Sequence, residues 1–117
     1  MAAPNIVNVA TITGKTAVQA ITTSATAIVT NTSGSNKVFK LNALYVSNVD
    51  GTNLASVNVD IFRSSTAYRI ANTITVPADA TIDVITKAIY LEEGDSLRLT
   101  ASAASRLEAI CSYEEIS

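Results

Sequence analysis

Three carboxylates crowd into Glu92-Glu93-Gly94-Asp95. Paired carboxylates can share general acid–base work or hold a divalent cation. A calcium loop needs oxygens at alternating positions and a distal Glu, and neither this turn nor Asp50-Gly51-Thr52-Asn53 supplies them. The group therefore reads as a solvated hairpin turn. Gly14-Lys15-Thr16 looks like the end of a phosphate-binding loop, but the upstream glycine that motif requires is absent: position 9 is Val9. Ser and Thr number 12 and 15, yet the chain has no His and no Ser-x-x-Lys, so no hydroxyl has a base to activate it. Cys111 stands alone on the inward face of a late strand, which predicts a buried thiol rather than a nucleophile. A single Cys also excludes an intrachain disulfide framework. These residues predict no catalytic group, no metal-ligand set and no cofactor, and the chain reads as a non-enzyme.

The charge balance narrows the partners. Eight basic and ten acidic residues give a net charge of −2, and the charged fraction is 15%. Lys15, Lys37, Lys40, Arg63, Arg69, Lys87, Arg98 and Arg106 are scattered, whereas nucleic-acid binding needs a clustered positive surface. No apolar run approaches the length of a membrane span, and Met1-Ala2-Ala3-Pro4-Asn5 lacks the features of a signal peptide. Neither nucleic acid nor membrane is expected as a partner. Asn31-Thr32-Ser33 matches the glycosylation sequon, which without a secretory signal reads as accidental.

Strands must position whatever function the chain has. Thr, Ile and Val make up 38 of 117 residues, and their β-branched side chains suit a pleated sheet better than a helix. Turn residues recur at the short spacing of an antiparallel sandwich or barrel. Ile6–Thr13 reads as a first strand ended by Gly14-Lys15, followed by a softer pair, Thr16–Thr22 and Ala25–Thr30. Val38–Asn48 reads as the central strand, with Phe39, Leu41, Ala43 and Tyr45 on one face. Ser56–Arg63 alternates, with Val57, Val59 and Ile61 inward and Asn58, Asp60 and Phe62 outward. Tyr68–Val76 ends at Pro77 and carries Asn72 on its apolar face, which suggests a bulge or a sheet edge. Thr81–Ile85, then Ala88–Leu91 and Ser96–Ala101 across the acidic turn, and finally Leu107–Tyr113 complete the set. The expected fold is all-β: one antiparallel two-sheet β-sandwich over residues 1–117, of jelly-roll or related Greek-key topology, with residues 1–5 as a candidate extended arm.

Two places stand out as contact surfaces. An outward Phe62 marks either a contact or a ring covered by a loop. Ile6, Val7 and Val9 make the first segment apolar on both faces. It is then either an arm laid on a neighbour or an inner strand of its own sandwich.

The segments Pro77-Ala78-Asp79-Ala80-Thr81-Ile82-Asp83-Val84-Ile85 and Ile89-Tyr90-Leu91-Glu92-Glu93-Gly94-Asp95-Ser96-Leu97-Arg98-Leu99-Thr100-Ala101 resemble small virion structural proteins of tailed phages, particularly marine cyanophages. In those proteins a Tyr-Leu-x-x-Gly-Asp-x-Leu segment precedes a final strand, here ending near Ser112-Tyr113-Glu114-Glu115. The opening Ala-Pro-Asn-Ile-Val and the Val49-Asp50-Gly51-Thr52-Asn53 turn are similar to that group as well. The resemblance implies a virion component made in a bacterial cytoplasm, with no catalytic residues to carry over. The leading expectation is a capsid decoration, or cement, protein, a homo-oligomer (a trimer is the favoured order) bound to the major capsid protein or another virion protein. A neck, tail or fibre protein is the alternative. A host-glycan-binding module is a third, disfavoured by an aromatic content of 5% without Trp.

Overall fold

Long alternating segments set the architecture, and turns that keep switching sheets set its path. The computed structural model describes residues 10–117, so the expectations for Ile6, Val7, Val9 and the arm at 1–5 lie outside the described residues. Among the described residues nine strands follow in order: β1 (Ile12–Ala20), β2 (Thr26–Thr30), β3 (Val38–Asn48), β4 (Ala55–Arg63), β5 (Thr66–Val76), β6 (Thr81–Asp83), β7 (Ile89–Leu91), β8 (Ser96–Ala101) and β9 (Leu107–Ile116). One sheet runs β1-β9-β3-β6, with β7 also on β3, and the other runs β2-β8-β4-β5. All pairings are antiparallel. Only the β4–β5 hairpin keeps neighbouring elements paired; most other links cross between the layers, and the interleaved strand order is that of a jelly roll.

The core lies between the sheets. Leu41, Leu44, Val46, Leu107, Ala109 and Cys111 face Val29, Val57, Val59, Ala71, Leu97 and Leu99 across the interior, each at most 5% exposed. Ile61 is only partly buried, because its end of β4 lies at the rim of the sandwich.

Four local readings change. Gly14-Lys15 does not end a strand: β1 runs through it, with Gly14 opposite Glu114 and Lys15 opposite Tyr113. A partner strand supplies the hydrogen bonds, and pairing overrides the weak strand preference of Gly. In β3 the alternation slips at Asn42, where the register with β9 jumps between Leu41 and Ala43. The extra residue turns Leu44, Val46 and Asn48 inward and leaves Tyr45 outside. The Glu92–Asp95 turn is not a hairpin, since β7 pairs with β3 and β8 with β4 and β2. Asp60, read as outward, is buried beneath its ion pair with Arg98.

Two checks follow. Far-UV circular dichroism should show β structure without helical minima. Replacing fully buried Leu99 by Ala should cost about 2–5 kcal/mol in chemical denaturation, through lost transfer energy and a cavity.

Candidate functional site

The acidic turn that first suggested chemistry is built into the fold. Asp95 is 1% exposed. The Arg63 guanidinium grips it through Nε to Oδ1 at 2.7 Å and Nη2 to Oδ2, and Nη2 also reaches Glu92 Oε2 at 2.9 Å. The Glu92 backbone N–H donates to Asp95 Oδ2 at 2.9 Å. Burial alone would raise the Asp95 pKa, but the bonds from Arg63 and the Glu92 N–H outweigh it and hold the carboxyl below its ordinary value. A carboxylate so saturated is poorly placed to take a substrate proton. Among the described residues, no three His, Cys, Asp or Glu side chains gather into a group that could hold a metal ion.

Asn31 completes this end of the sandwich. Its Nδ2 donates to Lys37 O at 2.9 Å and Leu91 O at 3.0 Å, and its Oδ1 accepts from the Ser35 hydroxyl. Its N–H donates to Asp95 O at 2.9 Å, and its carbonyl accepts from Gly94 N–H at 2.8 Å. The side-chain nitrogen of the sequon is therefore buried and bonded in the folded chain. Gly94 sits at φ 89°, a conformation in which a side chain would be strained.

Phe62 is partly buried, and part of its cover comes from Arg98 on β8. The Arg98 guanidinium lies 4.0 Å from the ring centroid, while its Nε donates to Asp60 Oδ1 at 3.0 Å. Cys111 is fully buried, and burial pushes its thiol up to about 11, which suppresses the reactive thiolate.

The outer face of the β1-β9-β3 sheet presents what the sequence reading missed. Val18 pairs with Ile110 across β1–β9, and Ile110 pairs with Tyr45 across β9–β3. These three side chains are 72%, 45% and 44% exposed, forming one apolar row across three strands. Ala20, Glu108 and Ser47 flank it on one side; Thr16, Ser112 and Ala43 flank it on the other. A shallow groove of about 380 Å³ opens beside the row, lined by Val18, Ala20, Ser47, Glu108 and Ile110. An apolar centre with a polar rim is the anatomy of a protein-contact patch. Ile110 was the available signal, an outward Ile between Glu108 and Ser112, but its neighbours in the row depend on the register and on the Asn42 bulge.

No protein-family model matches the chain, and no curated protein matches it. A solved structure described as "Bacillus endospore appendages form a novel family of disulfide-linked pili" is similar in fold. It matches with a TM-score of 0.54 and 16% identity, covering 92% of this chain and 88% of that one.

The Arg63–Asp95 pair sets a pH dependence. Because the folded-state pKa of Asp95 is lowered, its stabilisation is complete above the unfolded pKa and is lost as pH falls through the folded one. Asp95→Asn should therefore flatten the loss of stability on acidification below about pH 4. Arg63→Ala, which strands the buried carboxylate, should cost roughly 3 kcal/mol at neutral pH in urea melts.

Proposed function

We propose that the chain is a non-enzymatic structural subunit that packs against a neighbouring protein through the outer face of the β1-β9-β3 sheet. The assembly we favour is the outside of an icosahedral phage capsid, with the major capsid protein as neighbour and further copies of the chain beside it. The observation that carries this reading is the exposed Val18–Ile110–Tyr45 row with its polar rim. Supporting it are the sequence resemblance to virion proteins and the carboxylates of the acidic turn, of which Asp95 is consumed by internal pairing. Many identical modest contacts, repeated by symmetry, hold by avidity.

A second reading, a subunit of a tail or other fibre, draws on the fold similarity to an appendage structure. That structure is described as disulfide-linked, whereas the thiol here is buried. Copy number separates the two readings: hundreds of chains per particle favour the head, and a few dozen favour the neck or tail.

Ile110→Glu and Val18→Glu should leave the fold intact, since both side chains are already exposed, and should abolish co-sedimentation with purified particles. Ile110 is 45% exposed, so truncating it to Ala removes about 1 kcal/mol per contact, roughly fivefold in single-site affinity. Undiminished binding by both Glu variants would overturn the proposed face.

A further inference from the structure

Aromatic residues are few, but the fold gathers two of the four Tyr into one place. Tyr68 on β5 and Tyr90 on β7 come from different sheets, and both line a pocket of about 350 Å³ at the rim of the sandwich. Their exposures are 59% and 41%, so both rings reach solvent. Ile61 and Ile89 supply apolar lining, and Arg63 supplies the polar part.

Arg63 is held in place before any ligand arrives. Its Nε and Nη2 are bonded to Asp95 and Glu92, and Asp95 is itself buried. Its Nη1 has no hydrogen-bond partner among the described residues, which leaves two N–H donors in the plane of a fixed guanidinium. Glu92 is largely exposed and offers acceptor oxygen nearby. A fixed donor beside exposed aromatic rings, with an acceptor on the far side of that donor, suits the hydroxyls and the apolar C–H faces of a sugar.

We infer that this pocket binds a neutral saccharide, with Tyr68 and Tyr90 packing on the sugar ring and Arg63 with Glu92 hydrogen-bonding its hydroxyls. The volume lies at the small end of ligand pockets, which limits the ligand to a mono- or disaccharide unit, terminal or within a longer chain. Charge decides against an acidic sugar: the single guanidinium already faces two carboxylates, so an anion would meet net repulsion. The pocket is distinct from the Val18–Ile110–Tyr45 face, so a subunit docked by that face can still present it.

The test is a nuclear magnetic resonance titration of the full chain. The probes are neutral disaccharides of glucose, galactose, mannose and N-acetylglucosamine in α and β linkage, with N-acetylneuraminic acid as the acidic control. At least one neutral disaccharide should shift resonances of Tyr68, Tyr90 and the Arg63 side chain at millimolar concentration, and the acidic sugar should not. Tyr68→Ala and Tyr90→Ala should each weaken binding about tenfold with unchanged melting temperature, while Tyr90→Phe should retain it. Silence across the neutral set up to about 10 mM, an affinity too weak to serve, would overturn the inference. So would shifts confined to another surface, or full binding by both Ala variants. Shifts of the same resonances on raising protein concentration without sugar would assign the pocket to a second copy and equally overturn it.

Discussion

The sandwich is closed at one end by two buried polar side chains, Asn31 and Asp95, whose bonds bring together elements far apart in sequence. Asn31 ties the end of β2 to the entry of β3 and to the β7–β8 crossing. Asp95 ties that crossing to Arg63 at the end of β4. Burying such groups is costly unless they are bonded, and here the carboxylate is matched by a guanidinium and a backbone N–H. At the other end of β3, buried Asn48 does similar work, donating to Asn53 O and Val76 O and accepting from Asp50 N–H. With both ends of β3 fixed, its pairing with β9 is fixed, and so is the row that Tyr45 shares with Ile110 and Val18.

The same constraint shapes the rim pocket. Arg63 is useful there only because Asp95 and Glu92 hold its plane, and Asp95 is buried only because the turn crosses between sheets. Two of the three carboxylates that first suggested chemistry thus serve one arginine: Asp95 as an internal strut, and Glu92 as an exposed partner.

The strand set was largely legible, because β-branched alternation and turn residues are local signals. Val38–Asn48 was bounded correctly, and Leu41, Val59, Leu97, Leu99 and Cys111 are buried as their inward positions implied. What escaped depends on non-local geometry. A one-residue bulge at Asn42 leaves composition untouched yet reverses the faces after it. Turn chemistry at Glu92–Asp95 is the same whether the chain folds back into one sheet or crosses to the other. Asp60 and Phe62 look exposed by parity, and only the register that sets Arg98 beside Asp60 explains their cover. The apolar row and the two tyrosines of the rim pocket each join residues from different strands that no spacing in the sequence links.

On the proposed reading, rigidity is the function: a jelly roll locked at both ends of its central strand offers a fixed patch to a neighbour, repeated over a particle. Cryo-microscopy of the assembled particle, at a resolution that traces side chains, tests this most directly. The expected map shows Val18, Tyr45 and Ile110 buried against a neighbouring protein in every symmetry-related copy. A map in which that face is open to solvent, while another surface of the sandwich makes the contacts, would contradict it.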